Sequence, residues 1–248
     1  MIPVRSLTEV IERLRDQFRY EDPHKRTKLL GILFCRPQLK AAKDEVIPHL
    51  NYFHVRSGPH VDFFFAGFHR IQDHISDGPF AYEVDGVDGE KWIFDEREFN
   101  RWRYELEQAS KWRYSGGNDL VLANARYDDE HREPYIDLGH AVCMNLEEAQ
   151  QSGASPELSM ILEGIFRYAE SPDLKDPVWG LSDESGKRIG GNALRKLFVS
   201  ILPEALRGSA EHAFHYAVRD IGRSDYRDRR SDFEDHEMSS KGRLYHIR

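Results

Sequence analysis

Two stretches of this 248-residue chain collect residue types able to do chemistry. The first is Cys35-Arg36-Pro37-Gln38, where a single thiol follows a short apolar run and precedes a proline suited to a first helical position. A cysteine at a helix N-terminus beside a guanidinium is drawn below the free thiol value of ~8.5, and the thiolate is the nucleophilic form. On that basis Cys35 is the candidate nucleophile and Arg36 its stabiliser. The plain alternative is a packed, inert thiol, because cysteine is among the most often buried residues and no second cysteine stands nearby. The second stretch is Trp112-Arg113-Tyr114-Ser115-Gly116-Gly117-Asn118-Asp119. Trp112 and Tyr114 offer stacking faces for a ligand, Ser115, Gly116 and Gly117 offer backbone donors, Asn118 completes the loop, and Arg36 can meet an anion. An ordinary helix-to-strand turn explains the same glycines and asparagine through the dihedrals they supply.

Other polar clusters point to less. His212 and His215 lie three apart on a helical spacing with Glu211 adjacent, but neither HExxH nor paired cysteine ligands occur, so no metal site is expected. His49, His54 and His60 are equally unspecific, and His54 and Arg56 can simply complement a helix end. The turn Asp85-Gly86-Val87-Asp88-Gly89 lacks the ligand spacing of a calcium loop and reads as a hairpin turn.

The elements that must hold these residues follow from periodicity. Ser6 with Glu9 forms a capping box, and Leu7, Val10, Ile11, Leu14 and Phe18 recur at helical spacing, predicting a helix that ends near Tyr20. Leu29, Leu30, Ile32, Leu33 and Phe34 make an apolar run expected of a strand covered on both faces. Pro37 opens a helix whose face is Leu39, Ala42, Val46, Ile47, Leu50 and Phe53, and Pro48 predicts a bend near Asp44. Val61, Phe63, Phe64 and Phe65 form the next strand, expected parallel to and adjacent to the first. Residues 69–78 give no clear signal. Residues 81–84 and 91–94 form a hairpin, and Asp95 with Glu98 caps a helix bearing Phe99, Trp102, Leu106 and Ala109. Residues 120–124 and 135–146 are expected as an antiparallel pair, and Ser155-Pro156 starts a helix bearing Leu158, Ile161, Leu162, Ile165 and Phe166.

Over residues 28–168 this order of strand, helix, strand, hairpin, helix, strand, strand and helix resembles the thioredoxin fold. Cys35-Arg36-Pro37-Gln38 occupies the place of the reactive cysteine corner in such proteins. The resemblance implies an α/β fold with a mixed sheet flanked by helices and carrying an inserted hairpin, and it puts the 112–119 loop beside Cys35. Gln38 stands where a resolving cysteine would be, and Gly116-Gly117-Asn118-Asp119 lacks the proline usual before the third core strand. The expected organisation is a core of residues 1–170, a helical C-terminal appendage at 171–222 and a charged tail at 223–248. Leu194, Leu197, Phe198, Ile201 and Leu202 mark one helix of the appendage, and Ala213, Phe214, Ala217, Val218 and Ile221 mark another.

Composition bounds the function. A formal charge of −8 disfavours broad nucleic-acid binding, and in the tail Asp225, Asp228, Asp232, Glu234 and Asp235 oppose the arginines that a basic arm would leave unopposed. No window approaches the ~20 apolar residues of a membrane span, and Cys35 and Cys143 are too far apart in sequence to suggest a disulfide framework, which together predict a cytoplasmic, soluble protein. The leading expectation is a binding or adaptor protein, without cofactor, that uses a non-redox thioredoxin-like core to engage a protein partner, a second copy or a small ligand. A single-thiol oxidoreductase or transferase using Cys35 and Arg36 is the second reading, and a nucleic-acid accessory role for the C-terminal region the third.

Overall fold

The structure, a computed structural model, describes residues 1–19, 27–57, 61–71, 81–128, 130–151, 157–169 and 218–222. Within these residues the chain is an α/β protein built on a mixed sheet. Strand β1 (Ile2–Val4) leads into helix α1 (Leu7–Phe18), whose N-cap Ser6 accepts a hydrogen bond from the Glu9 amide at 3.2 Å. The Glu9 carboxylate reaches back to the Arg5 amide at 2.9 Å, so the start of α1 is satisfied locally and Val10, Leu14 and Phe18 turn inward.

Strand β2 (Thr27–Phe34) ends at Cys35, and the chain then makes a turn rather than entering a helix at Pro37: the Leu39 amide donates to the Arg36 carbonyl at 3.0 Å. The helix begins about one turn later than its apolar spacing suggests. The expected bend near Asp44 is a π turn over Ala42–Val46, followed by a 3-10 turn over Ile47–His49 and then α2 (Leu50–Ser57). Pro48 has no N–H for the carbonyl four residues earlier, and the chain absorbs the missing bond by letting the Ile47 amide reach back five residues to the Ala42 carbonyl.

Strand β3 (Val61–Ala66) pairs with β2 in parallel, Gly31 opposite Phe63 and Leu33 opposite Phe65. All six residues of β3 are buried, as a strand covered on both faces requires. Because successive side chains alternate, Phe63 points to the side of the helix α5 (Leu158–Ala169), where it meets Phe166 edge-on at 5.3 Å. Phe34, of the opposite parity to Gly31, points to the other side and meets Phe99 at 5.7 Å and Trp102 at 5.5 Å on helix α3 (Glu96–Ala109). After Gly67 the segment without a clear sequence signal begins as β4 (Phe68–Arg70), which joins β5 (Ala81–Asp85) and β6 (Lys91–Asp95) in a three-stranded antiparallel sheet ordered β4-β6-β5. The hairpin is therefore part of a small second sheet.

Strands β7 (Asp119–Asp128) and β8 (Glu133–Asn145) pair antiparallel, and β7 also runs antiparallel to β2. Between the pairs Leu122–Val142 and Asn124–Asp137 the first strand spends one residue and the second spends residues 138–141, an irregular bulge that breaks the simple alternation expected of 135–146. Helix α4 (Leu146–Gln151) follows β8 directly. Strand β9 (Val218–Asp220) closes the main sheet, ordered β1-β3-β2-β7-β8-β9. This corrects the helix expected through Val218 and Ile221: the edge of β8 at Val142, Cys143 and Met144 supplies backbone partners, and Ile221 is buried beyond it. The remainder of the expected helical appendage, the tail at 223–248, His60 and the His212/His215 pair lie outside the described residues. Among the described residues no helix is long and apolar enough to cross a membrane.

Candidate functional site

The end of β2, the start of β7 and the start of α4 converge, and the residues singled out for chemistry meet there. Asp119 is the centre of the 112–119 loop. Its carboxylate accepts from Trp112 Nε1 at 3.1 Å, from the Ser115 amide at 3.0 Å and from Ser115 Oγ at 2.6 Å. Three donors on one buried carboxylate bind the loop to the first residue of β7. Glu147, in the first turn of α4, clamps the neighbouring position: its two oxygens accept from the Asn118 amide and from Asn118 Nδ2, both at 2.6 Å. Tyr114 closes the loop on itself, its hydroxyl donating to the Gly117 carbonyl at 2.7 Å and its amide donating to Glu107 at 3.0 Å. Gly116, at φ +93, supplies the one backbone turn that a side chain resists.

This network corrects the picture of an open stacking loop. Trp112 is buried and lies against Phe34 at 4.4 Å, so its face is occupied by core. Asn118 is fully buried and its amide is spent on Glu147. Tyr114 and Gly117 are half-buried; Arg113, Ser115 and Gly116 are exposed, but the Arg113 guanidinium donates to the Glu107 and Trp112 carbonyls, and the Ser115 hydroxyl is engaged with Asp119 and the Gly117 amide. Arg36 does come to the loop, its guanidinium 5.6 Å from the Tyr114 ring centre and 5.1 Å from that of Phe99. Its Nη2 is held by Glu96 at 2.6 Å, so its charge is already answered within the chain.

Cys35 sits below, with no exposed surface. The expected fall in its pKa is reversed: burial, with a smaller contribution from the Glu147 charge, pushes the thiol well above its ordinary value. The physical reason lies in the turn at 36–39, which moves the helix start away from the sulfur, and in strand parity, which points Cys35 away from the Phe34 side. Burial likewise raises Cys143, and it raises Tyr114 despite the nearby Arg36.

Asp119 and Glu147, the residues that organise the site, were not distinguishable by sequence: Asp119 reads as the last residue of a turn, and Glu147 lies 29 positions beyond its partner Asn118. Burial raises the pKa of both carboxyls, opposed in part by the hydrogen bonds they accept. A carboxyl raised on folding holds its proton more tightly in the native state, so its contribution favours folding below the unfolded value and is lost as pH rises through the higher folded value. Asp119→Asn, which cannot ionise, is expected to flatten the pH dependence of stability in that interval above the ordinary carboxyl range. Thermal midpoints measured across it, for wild type and variant, check this.

Of the histidines singled out by sequence, His49 and His54 lie within the described residues and make local contacts. His54 Nδ1 lies 2.6 Å from the Met1 amine, and burial, then that amine, lowers its pKa; His49 Nδ1 lies 3.0 Å from the Glu45 carbonyl. Among the described residues no group of three or more His, Cys, Asp or Glu side chains is arranged to hold a metal ion. A groove of about 290 Å³ lined by Ile47, Pro48, Leu50, Asn51, Asp85 and Gly86 shares no residue with the loop. Comparison of the chain with protein-family models, with curated proteins and with solved structures returns no match to any of them.

Proposed function

We propose that this chain is a binding module on a thioredoxin-like core, working in the cytoplasm by engaging a protein partner and not by thiol chemistry. The observation that carries this is the state of the corner: Cys35 is fully buried and its thiol is pushed up. A nucleophile needs the reverse, an accessible sulfur with a depressed pKa. Support for the thioredoxin-like core comes from the parallel β2 and β3 flanked by the antiparallel β7 and β8, and from Arg36 lying beside the loop that precedes β7.

The two carboxylate clamps fit such a role. A loop that must grip a small ligand leaves donors and faces open, whereas here most of them are used to fix the loop's shape. A fixed shape lowers the ordering cost of docking against a partner. In an insulin-reduction assay with dithiothreitol as the reductant, the protein is expected to give no turnover above the uncatalysed rate. Turnover that disappears in Cys35→Ser would overturn the proposal in favour of the single-thiol oxidoreductase.

A further inference from the structure

Among the described residues strand β5 pairs with β6 alone, and the order β4-β6-β5 leaves its other side as an unpaired edge. Which of its backbone groups face that edge follows from the ladder. The Gly86 amide donates to the Glu90 carbonyl at 2.8 Å, and the Asp95 amide donates to the Gly67 carbonyl at 2.9 Å. Hydrogen-bonded pairs recur at every second residue of an antiparallel ladder, so Val84 and Tyr82 use their amides and carbonyls on Trp92 and Phe94, while Ile93 uses its own on His69. The amides and carbonyls of Glu83 and Asp85 therefore point away from β6, two residues apart on the edge. An unpaired row of this kind is a template for one more strand.

The surroundings select what that strand carries. The Glu83 and Asp85 side chains are exposed on one face of β5 and share one cation: Lys91 Nζ lies 2.5 Å from Asp85 and 3.5 Å from Glu83. One positive charge between two carboxylates leaves the edge acidic, and the exposed Asp88 follows in the adjoining turn. Tyr82, of the opposite parity, keeps 47% of its surface in solvent. At its far end β5 meets the groove of about 290 Å³, which Asp85 and Gly86 line together with the apolar Ile47, Pro48 and Leu50.

We propose that an extended segment of a protein partner adds to β5 as a further strand, its backbone bonded to that of Glu83 and Asp85, with basic side chains on the face of those two residues and apolar ones on the Tyr82 face. The proposal deepens the binding role given above and rests on it. Main-chain hydrogen bonds give docking of this kind its affinity, and the alternating side chains give it specificity. A second copy is the poorer occupant. A symmetric contact between two such edges would bring Glu83 and Asp85 up against the same residues, and like charges across a strand pair repel.

The test is a fluorescence-anisotropy titration of the full-length protein with a labelled octapeptide of alternating lysine and valine, which wild type is expected to bind. Two further versions of the peptide, one N-methylated at every lysine and one at every valine, lack the amide donors of opposite edges. One of them should lose binding and the other keep it, whereas recognition by side chains alone would treat the two alike. In the protein, Glu83→Pro removes an outward amide and no bond to β6, and should weaken binding about fivefold to tenfold more than Glu83→Gln, which removes the charge only. Should Glu83→Pro melt earlier than wild type, the methylated peptides carry the test on the unaltered protein. E83Q with D85N should weaken binding and flatten its fall as salt rises from about 20 to about 200 mM. No binding by wild type, equal behaviour of the two methylated peptides, or equal binding by Glu83→Pro and Glu83→Gln would overturn the proposal. Self-association of wild type that is lost in Glu83→Pro would overturn it in favour of a second copy. The titration reads β5 and the insulin assay reads Cys35, so failure of the one is distinguishable from failure of the other.

Discussion

Gly67→Ala is expected to lower stability by about 2 to 5 kcal/mol, a large share of what a domain of this kind has in total. Gly67 has φ +80, a conformation in which an added Cβ costs about 1 to 2 kcal/mol by itself. The new atom would also lie 2.6 Å from the Phe99 Cβ and 2.8 Å from its Cα, so the first turn of α3 would have to move, and overpacking of this kind adds roughly 1 to 3 kcal/mol. Relief is not local, because the Gly67 amide donates to the Val4 carbonyl and its own carbonyl accepts from the Asp95 amide. Gly67 therefore joins β1, the small sheet and the cap of α3 at one point. Urea unfolding of the variant checks the magnitude, and a loss under about 1 kcal/mol would show that α3 can shift freely.

Asp119→Ala is expected to cost on the order of 3 kcal/mol, and to do so mainly by releasing the loop. It removes the acceptor of three hydrogen bonds and leaves the buried Trp112 Nε1 unsatisfied at about 1 to 3 kcal/mol, while the bonds from the exposed Ser115 are lost to water. Loss of a buried carboxylate returns part of that cost, since burial already disfavours its charged form. Trp112 should then leave its place against Phe34, which a red shift in tryptophan emission would report. An unchanged midpoint and spectrum would mean that packing of Trp112 holds the loop without the carboxylate.

Local signals carried the elements that local physics determines. Ser6 and Asp95 cap α1 and α3 because a side-chain oxygen next to an apolar periodicity meets an amide two or three residues on. The apolar run of β2 announced a strand covered on both sides, and that of β3 a strand beside it. What stayed hidden is held by partners distant in sequence. Ile2–Val4 is a strand only because β3 offers it an edge, and Val218–Asp220 only because β8 does. In the site, the Cys35-Arg36-Pro37 corner and the 112–119 loop were legible as neighbours, but the direction of the sulfur was not. Strand parity and a turn one residue past Cys35 decide it, and neither leaves a compositional trace. Glu147 gave no signal for the same reason: nothing at Leu146-Glu147-Glu148 beyond an acidic helix start marks its use by Asn118.

The most direct measurement is the pH dependence of Cys35 alkylation in the native Cys143→Ala protein, against the same protein in denaturant. A buried, protonated thiol predicts that native Cys35 reacts only through unfolding, at a rate that follows global stability and shows no titration below the free value of ~8.5. Rapid reaction of the folded protein near neutral pH, with a half-point below that value, would contradict the account and restore Cys35 as a nucleophile.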